Sequence, residues 1–290
     1  MQTQALNGTP GLAPVLHLPL PPFNAVFNLP VANFITFADG AALIVFLAWA
    51  LLRPGKRIIT LAVMLGGALT TFNEPGFDIL NCVWHPSVGQ NVAFTLLGRA
   101  IPVWAFPGYI SVYGCSALLM LEAFMRGITK RGIWLWCLVP VVLDVLLEIP
   151  LLQFHLYYYY ANQPLDFLGY PLYQAPSNTF GIFFGVTVLY LMSPWLGNSW
   201  KWFPAAALVV PLCGGMGFIG ASLLPAFAVN AQNVPVWLTQ CAGIACFLLV
   251  GAAVHGISQL VAVDSPYRYR LPEPAALKAR APASASPRAI

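Results

Sequence analysis

Charge is what this sequence has least of. Asp, Glu, Lys and Arg together make up only 8% of its 290 residues, while 59% are hydrophobic. A soluble domain carries about 25% charged residues, so this chain could not cover a surface facing water. Over most of its area the solvent must be lipid, where only helices or closed barrels satisfy the backbone. Strict alternation of apolar and polar residues is also missing, which excludes a barrel. The first thirty residues hold no Lys or Arg and are broken by prolines, so they lack the basic start of a signal peptide. No CxxC pair occurs among the six cysteines, and only Cys82 falls in an expected external loop; neither a metal nor a disulfide framework is expected. HExxH, Walker and GxSxG signatures are absent, as is any lysine within a helix that would hold retinal as a Schiff base. Nothing points to nucleic acid beyond a weakly basic tail. No internal repeat suggests a transporter built from inverted halves.

What is present is a series of long apolar runs. A helical span needs ~20 residues. Seven stretches fit, at 33–52, 58–73, 101–125, 132–154, 179–196, 203–225 and 235–262. The second is the weakest, because it ends at Asn73-Glu74-Pro75-Gly76. Twelve of the thirteen Lys and Arg residues fall in the gaps after spans one, three, five and seven, and Arg99 alone falls elsewhere. The positive-inside rule makes that basic side cytoplasmic and the N-terminus external. The expected fold class is therefore all-α: a polytopic bundle of seven transmembrane helices in a cell membrane, most simply a bacterial inner membrane. Residues 1–32 are expected to form an external Pro-rich segment, 33–262 the bundle, and 263–290 a disordered basic cytoplasmic tail, too poor in apolar residues to bury a core.

The polar chemistry gathers on the outer side. Asp144 and Glu148 lie four apart in the fourth span and so share a face. A carboxylate at the centre of a bilayer costs ~2.5–3.5 kcal/mol on insertion scales, so two on one face need a partner or a shared proton. One protonated and one ionised carboxyl is the arrangement used in general acid–base work. The bland alternative is that both acids only hydrogen-bond neighbouring helices. Glu74 and Asp78 have the same spacing, but Pro75-Gly76 predicts a turn there. Arg99 is the natural counter-ion for one of these acids, or else a lipid-phosphate anchor. His85, beside Trp84, is either a proton carrier or an interfacial anchor. The run Tyr157 to Tyr160 reads mainly as aromatic belt, with one or two rings facing the cleft. Glu122, four residues before Arg126, reads as a surface pair.

The strings DVLLEIPLLQFHLYYYYANQPL and GYPLYQAPSN, with the upstream NEPGFD, resemble the core of the spirocyclase AveC-like family of bacterial membrane proteins. The resemblance covers about residues 35–260. It implies cofactor-independent spiroketal closure or dehydration of a lipophilic, hydroxylated substrate such as a polyketide or terpenoid. Carried onto this chain, it singles out Glu74, Asp78, Asp144, Glu148, Tyr160, Tyr170 and Gln174. Residue chemistry and resemblance together give Glu148, Asp144, Glu74 and Asp78 as catalytic candidates. Asn73, Trp84, His85, Arg99, Tyr160, Asp166, Tyr170 and Gln174 are candidates for substrate binding. The expected partners are the bilayer and a lipophilic small molecule, with no cofactor. A non-enzymatic lipid-binding or scaffold protein is the rival, and a proton-coupled carrier a third reading.

Overall fold

The computed structural model describes residues 20–53, 55–231 and 233–271. The chain is mostly helical. Its helices are α1 (Leu29–Leu52), α2 (Arg57–Thr70), α3 (Glu74–Asn81), α4 (Ala105–Tyr109), α5 (Ser116–Met125), α6 (Lys130–Gln153), α7 (Gln174–Leu196), α8 (Trp202–Asn230) and α9 (Val236–Val261). A π-helical turn, Ile110–Cys115, joins α4 to α5, so the pair runs as one rod from Ala105 to Met125. Among the described residues, six helices are long and apolar enough to cross a membrane: α1, the α4–α5 rod, α6, α7, α8 and α9. The expected second span is α2, whose 14 residues reach about 21 Å at 1.5 Å each, short of a ~30 Å hydrocarbon core. A 3₁₀ turn, Thr71–Asn73, then leads straight into α3.

The helix ends follow local chemistry. Asn28 caps α1, its Oδ1 accepting from the Val31 N–H at 3.2 Å, which starts that helix at Leu29 rather than at 33. Thr129 caps α6 in the same way. Pro75-Gly76 does not make the turn its composition predicts. Pro75 sits in the first turn of α3, where an N–H would have no intrahelical partner anyway, so it starts the helix instead of breaking it. Cys82 then ends α3 in the left-handed conformation, φ 55°.

The most enclosed helix is α7, which packs along α8, while α1 is the most exposed to its surroundings. Small residues permit the close approaches expected of helices in lipid. A Cβ on Gly67 of α2 would lie 2.6 Å from the backbone nitrogen of Gly114 in the π-helical turn. A Cβ on Gly215 of α8 would lie 2.9 Å from the Asn73 amide nitrogen, which donates to the Pro211 carbonyl at 2.8 Å.

Several of the described basic residues collect at one end. Arg53 grips Glu122 with two hydrogen bonds of 2.8 and 2.6 Å, and Arg126 adds a third at 3.1 Å. Glu122 is thus no surface pair. It is 5% exposed and ties the end of α1 to the end of α5. Part of the expected loose tail is also docked here. The Val263 N–H donates to Ile128 O at 2.8 Å, Asp264 accepts from the Lys130 N–H at 2.9 Å, and the Tyr269 N–H donates to Leu260 O at 2.8 Å. Residues 272–290, with the first nineteen of the N-terminal segment, lie outside the described residues.

The opposite end departs from a purely helical expectation. It carries three two-stranded antiparallel ladders: β1 (Val83–Trp84) with β4 (Tyr158–Tyr159), β2 (Val92–Leu96) with β3 (Arg99–Pro102), and β5 (Asp166–Phe167) with β6 (Tyr170–Pro171). The second and third are tight hairpins closed by Leu97-Gly98 and Leu168-Gly169, all four at positive φ. The first matters most, because it clips the chain after α3 to the chain after α6.

Candidate functional site

That clip brings two distant acidic segments to one cavity of about 360 Å³, within the usual range for small-molecule sites. Glu74 and Asp78 enter from α3, His85 from just beyond β1, Asp144 and Glu148 from α6, Asp39 from α1, and Gln174 and Asn178 from the start of α7. All four catalytic candidates therefore line a single space. Apolar and aromatic walls complete it, among them Phe77, Trp104, Leu147, Leu151, Tyr157 and Phe218.

One wall is a linked trio. His85 Nδ1 lies 3.2 Å from Asp78 Oδ2, and His85 Nε2 lies 3.8 Å from Glu74 Oε1. The Tyr109 hydroxyl donates to the other Glu74 oxygen. His85 is 3% exposed, and its ring packs against both Trp104 and Tyr157, with centroids 5.9 and 5.5 Å away. It is not an interfacial anchor. Burial alone would lower its pKa, but the Asp78 carboxylate and its hydrogen bond, helped by Glu74, outweigh burial and raise it above 6.5. Among the described residues this trio is where three potential metal-ligating side chains meet, although the sequence carried no metal signature.

The facing wall treats its two acids differently. Asp144 is held in place: the Tyr170 hydroxyl donates to it at 2.6 Å and the Asn178 amide at 3.2 Å. Glu148, one helical turn away, has its Oε2 buried without a hydrogen-bond partner. The same is true of Asp78 Oδ1, Trp104 Nε1, Tyr113 Oη and Tyr157 Oη, all from residues lining the cavity. Unsatisfied buried polar atoms cost about 1–3 kcal/mol each. Five around one space make that space suited to a ligand with several oxygens, or to ordered water.

Not every candidate reaches the cavity. Tyr170 stands behind it as the donor to Asp144. Asn73 is spent on the Pro211 carbonyl. Asp166 is exposed and accepts from the Gly169 N–H at 3.2 Å, closing the β5–β6 turn. Trp84 and Tyr160 serve Arg99 instead. The Arg99 guanidinium donates to the Tyr160 hydroxyl at 2.7 Å and lies 5.2 Å from the Trp84 ring centroid. Arg99 thus forms no ion pair with an acid among the described residues, and at 9% exposure it is no headgroup anchor either. Of the tyrosine run, it is Tyr157 that lines the cavity.

The sequence reading missed Tyr109, Ser111 and Tyr113. Their signal was the spacing Tyr-x-Ser-x-Tyr in FPGYISVYG, which puts two phenols one turn apart; the rings stack at 5.5 Å and 9°. The π-helical turn carries Ser111 and Tyr113, and Ser111 donates to Asp39 at 2.7 Å. Such turns occur often at functional sites. Searches of family models, of curated proteins and of solved structures return no match to this chain, so its site is read from its own residues.

Proposed function

We propose that this protein is a membrane-embedded acid–base enzyme acting on a lipophilic, hydroxylated substrate, in the manner of the spirocyclase AveC-like family it resembles. In this reading the bundle crosses the membrane seven times, with α2 and α3 together making the second pass. The end bearing Arg53, Arg126 and Lys130 is cytoplasmic, and the cavity opens toward the outer half. The observation that carries the proposal is the meeting of five carboxyl groups and a histidine around one largely apolar space.

Spiroketal closure joins two hydroxyl oxygens to one carbonyl carbon, and the carbonyl oxygen leaves as water. One group must protonate that departing oxygen while another removes protons from the attacking hydroxyls. Glu148 suits the first role, because its unpartnered oxygen is open to a substrate oxygen. The Asp78–His85 pair suits the second: with Asp78 holding Nδ1–H, His85 keeps Nε2 free to accept a proton. Asp144, held by Tyr170 and Asn178, acts on Glu148 and on the field of the site rather than on substrate. Dehydration needs the same two services and no redox step.

Glu148→Gln tests this reading. The change keeps shape and hydrogen bonding but removes the exchangeable proton. Protein reconstituted in vesicles is given dihydroxyketone surrogates, and loss of one water is followed by mass spectrometry. Product formation should fall roughly 10²–10⁴-fold. Activity within a few-fold of the parent would remove Glu148 from the mechanism. The rival reading, a lipid-binding protein without turnover, draws support from the structural donors that saturate Asp144. It predicts surrogate binding with no product from either protein.

A further inference from the structure

The Glu74–Asp78–His85 wall has a property that acid–base chemistry alone does not require. Two carboxyls and an imidazole each bring a ligand atom to within 4.8 Å of the others. Arg99, the nearest candidate cation in sequence, is turned to Tyr160 and Trp84. We propose that these three side chains form a binding site for one divalent transition-metal ion of the zinc class, with its open coordination positions facing the cavity.

Geometry supports the site. Donors about 2.1 Å from a common ion lie roughly 3.0–3.4 Å apart at octahedral or tetrahedral angles. His85 Nδ1 and Asp78 Oδ2, at 3.2 Å, already stand at that spacing, so an ion can replace the proton they share. Glu74 Oε1, 3.8 Å from the other ring nitrogen, must swing toward them to complete the set. A separate observation points to a ligand: Asp78 lines the cavity and is 1% exposed, yet its Oδ1 has no partner.

The scaffold is rigid. Glu74 and Asp78 are one turn apart on α3, and His85 packs in a cluster with two aromatic rings. An imidazole in the set favours zinc-class ions over calcium or magnesium, which prefer oxygen alone. Three protein ligands with the remaining positions open is the pattern of catalytic rather than structural zinc. An ion there would polarise a substrate oxygen opposite Glu148. The inference shares the cavity with the proposed function but does not depend on turnover.

The test is metal binding by the full-length chain in detergent, stripped with chelator and titrated with Zn²⁺, then with Co²⁺. One ion per chain is expected by elemental analysis and calorimetry, and Co²⁺ should give visible bands of a nitrogen–oxygen site. His85→Gln and Asp78→Asn should each weaken binding at least 100-fold, whereas Glu148→Gln should retain it. Should a variant not fold, the wild-type Co²⁺ spectrum decides the ligand type. Less than a tenth of an equivalent bound by the wild type, or uptake unchanged in both variants, overturns the site. A wild type that takes up no ion yet closes spiroketals would sink this inference and leave the proposed function standing; one bound ion without turnover would do the reverse.

Discussion

Adding one methyl group at Gly67 tests how the cavity is held. Gly67 of α2 packs against Gly114, and a Cβ there would lie 2.6 Å from the Gly114 nitrogen and 2.7 Å from its Cα. Both atoms belong to the backbone, so no side chain can swing away. Carbon–carbon contacts settle at about 3.5–4.0 Å, and Gly67→Ala must therefore push α2 and the π-helical turn apart by roughly 1 Å. Overpacking of this kind costs about 1–3 kcal/mol, a fall in apparent Tm on the order of 5 °C. That turn carries Ser111 and Tyr113 and adjoins Tyr109, the donor to Glu74, so the site should loosen with it. A misplacement of 1 Å can cost about 100-fold in rate. The control is Gly40→Ala in α1, where an added Cβ meets nothing within 4 Å. Thermal unfolding of both variants in the same detergent is the assay. Equal melting temperatures for Gly67→Ala and the parent would refute the close approach of α2 to the π-helical turn, and with it the positioning argument.

Other outcomes follow from single contacts. Because the folded pKa of His85 is raised, its stabilisation is present below about pH 6.5 and lost as pH climbs through the folded value. Metal-free protein should melt at lower temperature as pH rises from 6 through neutrality, and His85→Gln should flatten that slope; parallel slopes would contradict it. Glu122→Gln leaves Arg53 and Arg126 facing a neutral amide. Since their side chains are 22% and 73% exposed, the loss should be only about 1–3 kcal/mol, below that of a fully buried pair. A Tm matching the parent would show that this cluster holds nothing together. For topology, a cysteine at the exposed Asn162 should react with an impermeant reagent from outside, and one at Asn198 only after permeabilisation. The opposite pattern would invert the proposed orientation.

Much of the helical framework was legible in the chain because lipid imposes a blunt rule: backbone must bond within its own segment, so long apolar runs become helices. The spacing of Asp144 and Glu148, and of Glu74 and Asp78, was equally legible, since four residues make one helical turn. What the Pro75-Gly76 pair would do was not. Proline is compatible with both a turn and a first helical turn, and only the packing of α3 against α8 and the cavity selected the second. Roles of the polar partners were hidden for the same reason. Arg99 has more sequence-near acids to choose from than it uses, and it settles on Tyr160, 61 residues away. Tyr157 rather than Tyr160 faces the cavity because the β1–β4 ladder sets which side each residue presents, and side chains alternate along a strand. Local composition determined where helices form and which residues carry chemistry. Only the tertiary structure decided which of them meet, because those meetings join segments about seventy residues apart through contacts that local periodicity does not encode.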